Sequence, residues 1–339
     1  MAALAEAREG AVNLVEHCAE VKPGERVVLV HERDGGDEAL AALLAQTVEE
    51  QGGRCEVLWV ERTERGLSPT DEQMEALRSA DRVIASSRDS TLFRELIQNG
   101  GPSLLVSNWF DTRELMGTQH ARYHWGMARA FFARIEELFT VGSLWSISTP
   151  TGTRLAGRVG DYSARASYRE DERQPAQIRQ LHSPIYTPVA SLEAEGEIVA
   201  QFTGGFKRVP CDDPAVFVIE NNRMAGFKGG ERWVEQYEKQ LSATAERFGE
   251  SAYTVDSWHG GTHPRAEFMQ DLLGNGCASV MHFHLGRTTG KSGDYLSAEI
   301  SNHTLEVDGR RIYEDGKLMI WDDPKIEAAA EQYGLSDWR

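Results

Sequence analysis

Four short, almost uninterrupted apolar runs limit the fold more than anything else in the chain. They are residues 27–30 (VVLV), 55–60 (CEVLWV), 82–85 (RVIA) and 104–106 (LLV), and segments of helical periodicity separate them. Runs this short are not helices, and runs this continuous are not strands with one wet face. They fit a parallel sheet covered on both sides, whose strands are joined by crossover helices. Residues 2–20 space Leu4, Val12, Leu14, Val15 and Cys18 at roughly helical intervals, and 22–25 (KPGE) break that helix. Residues 36–52, 70–79 and 91–98 read as the next helices, and 111–138 as a longer one that presents His120 and His124 at i, i+4. The first 147 residues therefore predict an α/β domain built on an open, mostly parallel sheet.

Composition shifts near 139–153. Residues 144–148 (LWSIS) alternate as a half-buried strand, 150–153 (PTGT) read as a turn, and the domain boundary is placed here. From 148 to 339 the pattern is a C-terminal α+β domain of short strands and hairpins carrying the active site. Its elements are a polar loop over 164–183, strands over 198–202 and 216–220, and an Asn221-Asn222 hairpin turn into 224–227. A helix over 231–247 follows, then a small meander over 303–320 with two Asp-Gly turns, and a last helix over 324–332.

A length of 339 residues gives room for two domains. The formal net charge of −17 excludes nonspecific binding to nucleic acid or to anionic membrane, which needs clustered Lys and Arg. No run of eighteen apolar residues occurs, and the first residues lack the basic and apolar regions of a signal peptide, so a cytoplasmic protein is expected. Cys18, Cys55, Cys211 and Cys277 are scattered and form no CxxC pair, which argues against a disulfide framework or a thiolate zinc site. A small molecule is the expected partner.

Chemistry-bearing residues crowd into 256–293, which holds four of the ten histidines. His259 and His263 flank a Gly-Gly turn. His282 and His284, two apart in a strand, share one face and can share one ion or one substrate. Imidazoles with Asp256 suit a transition metal, and Glu299 and His303 can complete the set or act as acid and base. Arg265 offers a bidentate fork for a carboxylate, and Thr288, Thr289 and Lys291 in a glycine-rich loop add donors for an anionic group. Trp258 offers a ring for stacking. In the first domain, loops after the first and third strands, the latter with Arg88 and Asp89, lie where open sheets bind ligands. No GxGxxG or Walker loop is present.

Taken in order, segments 21–30 (VKPGERVVLV), 148–153 (STPTGT), 219–223 (IENNR) with Gly229-Gly230, 263–268 (HPRAEF), 282–286 (HFHLG) and 305–309 (LEVDG) with 315–318 (DGKL) resemble a known superfamily. It is that of the thermophilic leucyl aminopeptidases (aminopeptidase T) and the iron-dependent 2,5-dihydroxypyridine dioxygenases. The resemblance implies an N-terminal α/β domain, a C-terminal domain with a metal site, and a homo-oligomer. It implies a divalent transition metal, Fe(II) ahead of Zn or Co. Its ligand pattern carries over poorly. The first ligand falls near Asp256 or Ser257, and the histidine of His-x-x-Leu-Gly falls on His282. The His-x-Asp pair that should follow the glycine loop is missing where 294–303 reads DYLSAEISNH.

The resulting expectation is a metal-dependent enzyme on a small polar or aromatic metabolite, with non-heme Fe(II) dioxygenase chemistry ahead of aminopeptidase-like hydrolysis. His259, His263, His282 and His284 with Asp256 or Glu299 would hold the ion. A metal-free lyase, cyclase or isomerase using His pairs, and a non-catalytic binding homologue, are the alternatives.

Overall fold

The computed structural model describes residues 2–63, 66–87, 91–98, 100–160, 177–181, 185–187, 191–203, 209–264, 266, 276–285 and 296–338. The chain is a mixed α/β protein of two compact units, Met1–Ala128 with Ser167–Ser183, and Arg129–Ala166 with Pro184–Arg339. The division falls within the helix Trp125–Leu138, ahead of the composition shift at 139–153. No helix among the described residues is long and apolar enough to cross a membrane.

In the first unit the strand Arg26–Glu32 is central. It pairs in parallel with Arg54–Thr63 on one side and Arg82–Ser86 on the other. Leu104–Asn108 and Gln177–Gln180 extend the sheet beyond Arg82–Ser86, and the short strand Gly66–Ser68 closes the opposite edge antiparallel. Both faces of the central strand are covered, as its apolar run requires. Val28 and Val30 join Val83, Ala85 and Leu105 in a core with Met74, Leu77, Phe93 and Leu96 from helices Asp71–Arg78 and Thr91–Gln98. The helix Glu38–Glu50 packs against Arg26–Glu32 and buries Leu40 and Leu44.

Two expectations are corrected here. Part of the polar segment 164–183, expected to be loop, is the strand Gln177–Gln180, paired in parallel with Leu104–Ser107. A sheet edge supplies backbone partners whatever the side chains, and Arg179 is held inside by hydrogen bonds to the Cys18 carbonyl at 2.7 Å and Glu20 at 3.1 Å. The single helix 111–138 is three: Arg113–Met116, Gln119–Arg122 and Trp125–Leu138. Thr112 and Thr118 cap the first and second of these helices by accepting from Leu115 and Ala121. The Asn13 amide then clamps the next break, donating to the carbonyls of Ala121 and Tyr123 and accepting from the Trp125 amide. His120 and His124 therefore do not share one helical face. His124 lies between helices with its ring 4.0 Å from that of His17.

Among the described residues the second unit holds two sheets. The larger runs Arg223–Gly229, Ala215–Glu220, Ser191–Val199, Arg154–Val159, Leu144–Ser148, Thr304–Val307, Arg310–Glu314 and Lys317–Leu318. Its period-two pattern is visible in Leu144–Ser148, where only Trp145 and Ile147 are buried. Its hairpins turn on left-handed residues: Asn221 and Asn222 have φ of 47° and 63°, and Asp308-Gly309 and Asp315-Gly316 do the same for the meander. The smaller sheet, Phe202–Thr203, Leu296–Ser301, Val280–Leu285, Val255–Gly260 and Ile185–Thr187, carries the histidines. The amphipathic helix Glu231–Phe248 turns Trp233, Tyr237 and Leu241 inward and touches the strand Leu296–Ser301.

Asp323 makes this unit sensitive to acid. Its side chain is 3% exposed, caps the helix Pro324–Gln332 and accepts from Arg134 at 2.6 Å and Arg310 at 2.9 Å. Burial pushes its carboxyl up, and the hydrogen bonds from Arg134 and Arg310 outweigh that and hold it below the usual aspartate range. A folded pKa below the unfolded one means stability that is present above the unfolded value and lost as pH falls through the folded one. Asp323→Asn should cost about 3 kcal/mol at pH 7 and flatten the decline in stability below pH 4, measured by urea unfolding across pH.

Candidate active site on a buried polar sheet face

Val280–Leu285 is buried along its whole length, so both of its faces are covered. Strand alternation sends Met281, Phe283 and Leu285 to one side and His282 and His284 to the other. Across the ladder, Phe283 aligns with Trp258 and Ala298, which continues the apolar side. Trp258 is 1% exposed and packs against Phe139 and Trp145, with ring centroids at 5.6 and 6.1 Å.

The opposite side is polar and equally dry. His282 aligns with His259 on one neighbouring strand and Glu299 on the other, and His284 aligns with Ser257 and Ser297. His282, His284 and Glu299 are 6%, 5% and 1% exposed, and the two imidazoles lie 4.8 Å apart between centroids. Burying ionisable groups costs several kcal/mol unless they are neutralised, paired or bound to an ion. Burial pushes His284 down to about 3, which keeps it neutral, the form that binds a metal or accepts a proton.

Sequence reasoning missed Tyr237. It sits on the inward face of the helix Glu231–Phe248, with its ring held by Phe217 and Phe227 at 4.8 and 6.2 Å. Its hydroxyl is buried and has no hydrogen-bond partner among the described residues. Burial, with the charges of Cys211 and Glu299, pushes that hydroxyl above the usual tyrosine range. The only signal in the sequence was an aromatic at an inward helical position, which reads equally as core.

The remaining candidates fall elsewhere. His263 is buried just past the end of Val255–Gly260, where its backbone bonds to Gly276 and Ala278. Gly261 permits this approach, because a Cβ there would meet the Cys277 carbonyl oxygen at 2.3 Å. His303 is fully buried with its ring 4.7 Å from that of Tyr313, whose hydroxyl donates to the Gly261 carbonyl at 2.8 Å. Burial pushes His303 down to about 3. Asp256 stands where the ladder shifts register between Val255 and Ser257, a bulge of the kind that re-aims side chains beside active sites. Only the backbones of Asp256 and His259 are described, and Arg265, Thr288, Thr289, Lys291, Arg88 and Asp89 lie outside the described residues. Among the described residues no three His, Cys, Asp or Glu side chains form a group that could hold a metal.

No protein-family model matches the chain, and no curated protein matches it by sequence. Solved structures do. The 2,5-dihydroxypyridine dioxygenase of Pseudomonas putida KT2440 aligns over 93% of this chain and 96% of its own, with a TM-score of 0.66 and 14% identity. Wild-type AmpT of Thermus thermophilus aligns over 93% of this chain and 99% of its own, with a TM-score of 0.57 and 13% identity. The chain thus shares its fold with these two proteins and stands in a distant structural relationship to 2,5-dihydroxypyridine dioxygenase and aminopeptidase T.

Proposed function

We propose that the chain is a metal-dependent enzyme acting on a small polar or aromatic metabolite, with Fe(II) dioxygenase chemistry as the first reading. The observation that carries it is that His282 and His284 share one buried sheet face with Glu299, which aligns with His282. Two imidazoles and one carboxylate are the donor types of non-heme iron oxygenases. The donor types fit. The described side chains do not by themselves close a three-donor group, and the two positions that would complete one are His259, aligned with His282, and Asp256 at the adjacent bulge.

In this reading His282 and His284 hold the ion, with Asp256, His259 or Glu299 completing the set. The bound metal would supply open positions for substrate and dioxygen. The chain's own residues supply the rest. His284 enters as a neutral ligand that needs no deprotonation near pH 7. Leu285, Phe283 and Trp258 back the sheet with apolar packing that fixes the imidazoles. Tyr237 brings a buried hydroxyl toward Glu299, free to hydrogen-bond a substrate oxygen.

A second reading, aminopeptidase-like hydrolysis, is supported by the likeness to AmpT over nearly the whole chain. Two assays separate the readings. A dioxygenase loaded with iron should consume oxygen with a dihydroxypyridine, and an aminopeptidase loaded with zinc or cobalt should release leucine from leucinamide. Inactivity in both assays, by protein that retains its metal, would overturn both substrate assignments.

A further inference from the structure

The parallel sheet of the first unit carries a second polar row, far removed in sequence from the histidine face. At the carboxyl ends of four neighbouring strands the register aligns Trp59, His31, Ser86 and Asn108. Aligned residues of a parallel sheet project from the same face, and two contacts bear this out. The His31 and Trp59 rings are 5.3 Å apart, and Asn108 Nδ2 donates to Ser86 Oγ at 3.0 Å. Strand order also reverses here, with Arg54–Thr63 on one side of Arg26–Glu32 and Arg82–Ser86 on the other. In open α/β sheets the crevice outside the strand ends at such a reversal is where ligands bind.

The hydrogen-bonding capacity of this row is only partly used. Asn108 is satisfied at both ends, since it also donates to the Phe110 carbonyl and accepts from the Phe110 amide. Ser86, 4% exposed, accepts from Asn108, and among the described residues its own proton meets no acceptor. His31 is 1% exposed, and its Nε2 has no hydrogen-bond partner among the described residues. A buried ring nitrogen in that state is destabilising unless a ligand or a water meets it.

The charges nearby indicate what kind of ligand that is. Asp37 already occupies the amino end of the helix Glu38–Glu50, accepting from the amides of Ala39 and Leu40, and Arg113 faces that same carboxylate. Arg62 is closed onto Glu32. Each of these cations already faces a carboxylate, so nothing in the described row invites a phosphate. Burial pushes His31 down to about 4 against the pull of Asp37, so the imidazole is neutral and offers one donor and one acceptor. Trp59, half-buried, supplies a flat wall.

We infer that this row binds a small neutral heterocycle, a nucleobase or its nucleoside, with His31 Nε2 and the Ser86 hydroxyl meeting the polar edge of a ring that packs on Trp59. This site is independent of the metal reading, and its failure would leave that reading untouched.

The test is ring-nitrogen NMR of the full chain labelled with 15N-histidine, titrated with adenosine, uridine and AMP. A saturable shift of the His31 Nε2 resonance is expected with adenosine or uridine, the signal being assigned by its loss in His31→Phe. Ser86→Ala should weaken that binding about tenfold. AMP should bind no more tightly than adenosine. His31→Phe should melt at or above the wild-type temperature, because it removes a buried polar atom that no group among the described residues satisfies. The inference is overturned if no probe moves the His31 signal at about 10 mM, well above the Kd of a weak specific site. It is equally overturned if Ser86→Ala binds like the wild type, if AMP binds tighter than adenosine, or if His31→Phe melts lower.

Discussion

On the metal-dependent reading proposed above, replacing His282 and His284 together with alanine should abolish transition-metal binding, with affinity falling by roughly tenfold or more for each imidazole lost. The two residues stand two apart on a strand buried on both faces, so their rings project from one side with centroids 4.8 Å apart. His282, His284 and Glu299 lie on one sheet face at 6%, 5% and 1% exposure. Apolar residues would fill the same space at lower cost. The thermodynamic readout therefore runs in two directions. If the face exists to bind an ion, the double variant loses metal while the metal-free protein keeps its stability or gains some. If the histidines are structural, the double variant unfolds more easily and metal content is unaffected. Single substitutions should each show an intermediate loss of metal.

Trp258→Ala should cost about 3–5 kcal/mol, a large share of the stability of an ordinary domain. The indole is 1% exposed and joins Phe139 and Trp145 in a cluster of three aromatic rings. Its removal leaves a cavity behind the strand that aligns with Phe283 and Ala298, directly behind the histidine row. Trp258→Phe keeps part of the contact and should cost less than half as much. Because the same ladder carries both faces, the alanine variant should also loosen metal retention without touching a ligand. Denaturant unfolding measures the first effect and metal stoichiometry the second. A substrate-stacking role alone would leave stability near that of the wild type.

The parallel sheet was legible because the runs at 27–30, 82–85 and 104–106 are buried on both faces and are therefore almost wholly apolar, and the half-buried run at 55–60 repeats their pattern. Gln177–Gln180 was not, since an edge strand made of QIRQ is held by the backbone of Leu104–Ser107 and by Arg179, neither of which gives a hydrophobic pattern. The break before Trp125 is set by Asn13, 112 positions away, and no local reading reaches that far. The hairpins at Asn221-Asn222, Asp308-Gly309 and Asp315-Gly316 were legible because left-handed backbone selects those residues.

The candidate site was half legible for a similar reason. The spacing of His282 and His284 determines that they share a face, and it needs no tertiary knowledge. That Glu299 lies beside His282 depends on the register of two strands that are not adjacent in sequence, and that Tyr237 approaches Glu299 depends on how a helix packs over the sheet. Periodicity finds a face and cannot find what is brought to it.

Metal stoichiometry tests the central claim most directly. The full-length wild type and the His282→Ala, His284→Ala double variant would be loaded with Fe(II) under anaerobic conditions, desalted and analysed by elemental mass spectrometry. The account predicts about one equivalent of iron in the wild type and, with two ligands gone, under about 0.1 in the variant. Less than about 0.1 equivalent of iron, zinc or cobalt in the wild type, or equal stoichiometry in the two proteins, would contradict it.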